Sequence, residues 1–331
     1  SSVVAGTLTL PLLYIVGARL RLDRLLFGGN PLTADAEQSA PARSSHLSLT
    51  GLLAATGLAV AYWAIFFNRL GLRANLLPPV LLGLVWCFWR GWYGPPPQPQ
   101  RRIWLAGTGF LLGFTLYTYL AARLLPLLFL IFVVIDLART GADRRRRLVD
   151  LLLVAAITLL VALPLLLYFQ QNPQAIGNRL QAISILAADN FWPTLKDNLL
   201  ALLAIHFGAG VWLGQWPALN IISAVGLLFG LAVCLYRLTR PAGLFLLLWL
   251  VIGLTPVLFS RQDWNGQTTL LRGLVAWPAL FLISAVGLVS LANWLGRLAG
   301  KVSLSPRFQT RFFSLAIFWL LLIGGSLTSY H

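Results

Sequence analysis

The sequence predicts an all-α polytopic membrane protein, a single bundle of about ten transmembrane helices, and three observations predict it. Of the 331 residues, 58% are hydrophobic and 10% are charged, whereas soluble domains run at roughly half apolar and a quarter charged. Several apolar stretches reach the roughly 20 residues that a helix needs to cross about 30 Å of hydrocarbon, with no ionisable group in their middles. The basic residues, which give a net charge of +16, gather between those stretches and not within them. In a soluble chain that charge would suit nucleic acid. Here it reads as a topology signal, and no nucleic-acid partner is expected. A transmembrane barrel is excluded because its strands alternate in short segments.

The predicted spans are residues 2–18, 48–67, 72–90, 103–119, 123–138, 148–168, 219–236, 242–259, 270–292 and 311–329. The first has no basic leader and merges into a full span, so it is not read as a signal peptide. Residues 28–46, "GGNPLTADAEQSAPARSSH", are small and polar, and predict a flexible linker without chemistry of its own. "GPPPQPQRR" at 94–102 predicts a stiff connector. The apolar tract 103–138 would run about 54 Å as one helix, far more than a membrane thickness, so it must fold into two spans with a hairpin at Tyr119 to Arg123. Residues 169–218 form the one long segment on that hairpin's side. Within it "PTLKDNLLALLAIHFG" suits an interfacial helix, with Trp192, Trp212 and Trp216 as headgroup anchors. No internal repeat of the transporter kind is found.

Sidedness follows from the cations. The alternate loops 19–47, 90–102, 139–147, 237–241 and 293–311 hold 18 of the 25 Lys and Arg, including "DRRRR" at 143–147, which places them in the cytoplasm. The other face keeps Arg69, Arg73, Arg123, Arg179, Lys196, Arg261 and Arg272. Several of these lie beside aromatics at span ends. A bland reading has them snorkel to headgroups while the tyrosines form an interfacial belt. Taken together they suit a shared anionic ligand, because guanidinium forks bind phosphate bidentately. In "NRLGLR" two arginines four apart would share a helical face.

Catalytic candidates on that face are few. Its acids are Asp189, Asp197 and Asp263; Glu37, the only glutamate, lies in the cytoplasmic linker, as does His46. His206 and His331 have no partners at zinc-ligand spacing, and Cys87 and Cys234 sit within apolar spans, so neither a metal centre nor a disulfide framework is expected. Asp197 reads as a cap or solvating group of the amphipathic segment. Asp263, beside Trp264, is the best-placed external acid for catalysis.

Five stretches then resemble, in order, membrane glycosyltransferases of the GT-C fold, specifically glycosyltransferase family 39 and its bacterial relatives similar to protein mannosyltransferases and the lipid A aminoarabinose transferase. "VVAGTLTLPLLYIVGARL" (3–20) resembles the family's second span, and "AYWAIFFNRLGLRANLLPPVLLG" (61–83) its S-W-H-x-x-F-S-R-x-G-L-R stretch. "GFTLYTYLAARLLPLL" (113–128) resembles its Y-T-Y-x-x-x-R hairpin, "YFQQNPQAIGNRLQAISI" (168–185) an N-P-x-x-x-x-x-R element, and "LLRGLVAWPALFLISAVGL" (270–288) its late L-R-x-x-x-x-x-P span. The chain departs from the family at "GQWPALN" (214–220), at "WNGQTTLLR" (264–272), which lacks a Pro-His pair, and in the length of 28–46.

The resemblance implies transfer of a hexosyl or pentosyl group from a polyprenyl-phosphate donor to a protein, lipid or glycan acceptor at the outer face of a bacterial cell membrane. It implies that Arg69, Arg73, Tyr117, Tyr119, Arg123 and Arg272 line or support the pocket for the lipid phosphate and sugar. It leaves a divalent metal open and requires none. The family's catalytic Asp lies in a loop after a first span. The chain contains no methionine, and an even span count that starts outside implies that this first span and loop precede Ser1. A transporter or flippase of lipid-linked or anionic substrate is the main alternative. It would show intramembrane charges or broken helices in matched halves, and neither is evident. A polymerase or ligase of lipid-linked glycans would share the donor.

Overall fold

The computed structural model describes residues 2–20, 22, 48–94, 98–139, 144–174, 185, 191–207, 219–260, 271–298, 316 and 318–320. The linker 28–46, most of the span at 311–329, and Arg179, Asp189, Arg261 and Asp263 lie outside the described residues. Among the described residues eleven α-helices are delimited, in order: α1 Ser2–Arg19, α2 Leu49–Ala59, α3 Tyr62–Arg69, α4 Leu77–Tyr93, α5 Gln98–Thr118, α6 Leu125–Arg139, α7 Arg144–Gln171, α8 Phe191–Phe207, α9 Ile221–Tyr236, α10 Pro241–Leu258 and α11 Trp277–Leu298. The fold class is all-α. Outside the helices, Ile185 N–H bonds the Phe259 carbonyl at 3.2 Å.

Among the described residues, helices lie at nine of the ten predicted places, and the tenth, 311–329, lies mostly outside them. Among the described residues, five helices are long and apolar enough to cross a membrane, or six if α2 and α3, bent by 62°, are one span. The tract 103–138 divides as expected. Helix α5 ends at Thr118, Tyr119 is extended (φ −152°, ψ 149°), and a 3-10 turn at Leu120–Leu124 leads into α6.

Helix α9 packs most intimately on α11, and small residues allow it. A Cβ on Gly230 would stand 1.9 Å from the Ile283 carbonyl oxygen, and one on Gly287 1.8 Å from that of Gly226. Ser284 Oγ donates to the Ser223 carbonyl at 2.7 Å across the seam. Without a hydrophobic driving force in lipid, such close backbone approach supplies the association energy. The pair α5–α7 uses the same device at Gly109 and Gly113, with Thr158 Oγ1 donating to the Gly109 carbonyl. Between α4, α6 and α10 the core is aromatic. Phe88 meets Phe129 edge-on at 5.0 Å, and Phe132 meets Phe245 at 5.1 Å.

At the end where α4 and α6 finish and α7 starts, two carboxylates are buried among arginines. Asp136 accepts from Trp92 Nε1 (2.8 Å), Tyr93 Oη (2.7 Å) and Arg147, whose guanidinium also lies 5.5 Å from the Trp92 ring. Arg101 of α5 pairs in bidentate fashion with Asp150 of α7. These buried pairs were not expected from the sequence, which reads the span middles as free of charge. They lie within one or two turns of helix ends, where pairing offsets the desolvation of each ion. Asp136→Ala strands Arg147 and an indole donor, so it is expected to cost about 3–5 kcal/mol. The check is the thermal midpoint of the purified protein, and a midpoint equal to wild type contradicts the pairing.

Candidate functional site at the opposite end

At the opposite end, α4, α6 and α11 all begin in one way. Each is preceded by a 3-10 turn, at Arg73–Leu76, Leu120–Leu124 and Gly273–Val275, and each has proline as its second residue: Pro78, Pro126 and Pro278. Proline costs nothing there, since its missing N–H would have no helical acceptor and its φ already suits a helix. Arg73 opens the first turn, Arg123 lies inside the second, and Arg272 is the N-cap of the third. Helix α10 packs against both the second and third turns, and α4 packs against the first and third. Packing thus gathers onto one end arginines that lie about 50 and 150 residues apart in sequence.

Each predicted residue has a distinct setting. Arg69 is exposed at the end of α3 and Arg73 is exposed beyond it. Gly71 between them adopts φ +71°, a left-handed conformation that ends the helix. The expectation that Arg69 and Arg73 share one helical face is therefore corrected, because the chain reverses between them. Asn75, buried, holds that reversal by donating to Ser2 Oγ (2.6 Å) and to the Phe67 carbonyl (2.5 Å), while Ser2 Oγ donates to the Asn68 carbonyl at 2.8 Å.

Tyr117 is half-exposed, and its hydroxyl donates to the Val161 carbonyl at 2.8 Å. That acceptor lies one residue beyond Leu160, which loses its helical donor to Pro164. Tyr119 packs partly buried against the core. Arg123 is half-buried with its guanidinium 4.8 Å from the Phe169 ring centroid, so the turn before α6 and the end of α7 meet through a cation–π contact. Arg272 is half-buried and donates through Nη1 to Ser260 Oγ at 2.8 Å.

Two residues absent from the sequence-based candidates hold the Arg272 corner. Asn198, fully buried on α8, donates through Nδ2 to the Leu258 carbonyl at 2.7 Å and to the Ser260 carbonyl at 2.8 Å. Trp249 donates through Nε1 to the Val275 carbonyl at 2.7 Å and so fixes the turn that follows Arg272. An asparagine in an amphipathic stretch carries little sequence signal, since its neighbours Asp197 and Leu199 are exposed. Asn198→Ala leaves two carbonyls without their side-chain donor, and a loss of about 1–3 kcal/mol is expected. The thermal midpoint reads it, and no change contradicts the role.

Among the described residues, no three His, Cys, Asp or Glu come together as metal ligands. The His206 side chain lies outside the described residues.

No family model matches the sequence, and no curated protein matches it. Solved structures do. ArnT from Cupriavidus metallidurans bound to undecaprenyl phosphate aligns over 98% of this chain with TM-score 0.51 and 15% identity, and its apo state aligns over 99% with TM-score 0.53 and 14% identity. The archaeal oligosaccharyltransferase AglB from Archaeoglobus fulgidus, in complex with an inhibitory peptide and a dolichol-phosphate, aligns over 98% with TM-score 0.52 and 13% identity. The chain has the GT-C fold. It spans 57% of the ArnT chain bound to undecaprenyl phosphate and 44% of the AglB chain. In this GT-C bundle the three arginine-led turns are features of one end, and the buried Asp136 and Asp150 are features of the other.

Proposed function

We propose that the chain is the transmembrane part of a glycosyltransferase that takes a sugar from a polyprenyl-phosphate donor at the outer face of a bacterial cell membrane. The observation that carries this reading is the shared fold: two proteins that align over 98% of this chain were each captured with a prenyl phosphate. The arginine-bearing end supports it, because the leaving polyprenyl phosphate gains negative charge as the glycosidic bond breaks. Fixed guanidiniums stabilise that charge more in the transition state than water does.

In this reading Arg123 and Arg272 hold the phosphate, Arg69 and Arg73 form the exposed rim, and Tyr117 and Tyr119 support the pocket wall. Activation of the acceptor hydroxyl needs a carboxylate base. Asp136 and Asp150 are ion-paired at the other end and Asp197 is solvent-exposed on α8. Asp263 is the remaining candidate near Arg272 in sequence. The acceptor is a protein, lipid or glycan hydroxyl.

The test is direct binding of undecaprenyl phosphate to the purified chain in detergent by native mass spectrometry. One bound lipid, displaced by excess dolichyl phosphate but not by phosphatidylcholine, is expected. Retention of prenyl phosphate no better than phosphatidylcholine overturns the reading.

A further inference from the structure

A surface on the Asp136–Asp150 side of the molecule is left over by this function. Helix α7 opens with Arg144, Arg145 and Arg146, all exposed. Arg139 closes α6 exposed, and Arg102 is exposed on the first turns of α5. They surround the two buried ion pairs at close range: Arg102 adjoins Arg101, Arg139 lies one turn past Asp136, and Arg146 lies one turn before Asp150. The described carboxylates cannot neutralise them, because Asp136 is engaged by Arg147, Trp92 and Tyr93, and Asp150 by Arg101. In sequence, one further acid, Asp143, adjoins the run. Seven arginines therefore stand against three carboxylates, two of them already paired.

The surface directly beyond the arginines on α7 is apolar. Leu148 is 44% exposed, Val149 58% and Leu152 68%, and the exposed row continues along α7 through Leu159 and Leu160. An ordinary soluble anion would find the charge but have no use for that row. A molecule with an anionic head and hydrocarbon tails matches both parts, and their order along the helix is head first, then tail.

We propose that this surface is a binding site for an acidic phospholipid. Its phosphate headgroup sits on Arg144, Arg145 and Arg146, with Arg102 and Arg139 at the margin, and its acyl chains lie along Leu148, Val149 and Leu152. The site is separate from the arginine-led turns and does not depend on any assignment made for them. It makes this corner of the bundle sensitive to the acidic-lipid content of the membrane.

The experiment is native mass spectrometry of the purified chain in micelles that mix phosphatidylglycerol and phosphatidylcholine, where membrane orientation plays no part. Wild type is expected to retain phosphatidylglycerol over phosphatidylcholine at least roughly tenfold. R144Q/R145Q/R146Q loses that preference, R144K/R145K/R146K keeps most of it, and the single R145Q, which keeps the fold least disturbed, falls between. Inorganic phosphate at millimolar concentration leaves the lipid bound. An unchanged preference in the triple Gln variant overturns the proposal. So does displacement of the lipid by inorganic phosphate, which would make this a small-anion site, or no preference in wild type.

Discussion

Gly287→Ala is expected to abolish the α9–α11 seam and most of the folded protein with it. The new methyl carbon would stand 1.8 Å from the Gly226 carbonyl oxygen and 2.4 Å from the Gly230 backbone nitrogen, atoms that cannot move without unpacking a helix. Overpacking against side chains costs about 1–3 kcal/mol, because they rotate away; against backbone the cost is expected to exceed about 3 kcal/mol. Gly230→Ala meets the Ile283 carbonyl in the same way. Gly83→Ala on α4 is the control, since its Cβ would meet only Leu111 Cδ1 at an ordinary 3.6 Å. There, loss of a helix-interior glycine is worth about 0.5–1 kcal/mol in the stabilising direction. Fluorescence-detected size exclusion after heating separates the three. Equal midpoints for G287A and G83A contradict the seam.

Arg123→Ala and Arg272→Ala are each expected to lower kcat/KM for transfer from a polyprenyl-phosphate sugar by about 10²–10³, the usual effect of removing one preorganised donor from a developing anion. Arg123→Lys and Arg272→Lys restore charge without the bidentate fork, and recover only part of the rate. The thermal midpoint separates the two residues from mere structural supports: both Lys variants are expected to fold as wild type does. Wild-type transfer in both Ala variants removes these residues from the pocket.

How far the sequence foretold this molecule depends on the element. The division of 103–138 was legible because one helix of that length cannot fit a membrane, and Tyr119 stands at the break. That Arg73, Arg123 and Arg272 come to one end of the bundle was legible because each stands at a predicted span end on the same side of the alternation. The turn chemistry was only half legible. Tyr119 to Arg123 read as a hairpin, but the Arg–turn–Pro device shared by Arg123–Pro126, Arg73–Pro78 and Arg272–Pro278 has unequal spacings that hide it until the 3-10 turns are seen. The shared face of Arg69 and Arg73 failed on Gly71, whose left-handed φ no helical-wheel argument takes into account.

Asp136 and Asp150 were passed over because hydropathy counts a carboxylate at a span end as a boundary. Whether it is solvated or, as here, paired across helices depends on neighbours 11 to 49 residues away. Asn198 left no trace in periodicity, since its donors reach carbonyls 60 and 62 residues on. The small-residue seam was present in plain text as "GLLFG" and "SAVG", but pairing them requires knowing that α9 and α11 are neighbours.

Everything assigned to the arginine-led turns depends on which side of the membrane they face. In a background with Cys87 and Cys234 replaced by alanine, a cysteine at Leu70, exposed beside Arg69, reports that end, and one at Ala138, exposed at the end of α6, reports the other. With a membrane-impermeant maleimide on intact cells, Leu70→Cys is expected to label and Ala138→Cys to label only after lysis. The reverse pattern places the guanidiniums in the cytosol and contradicts the account.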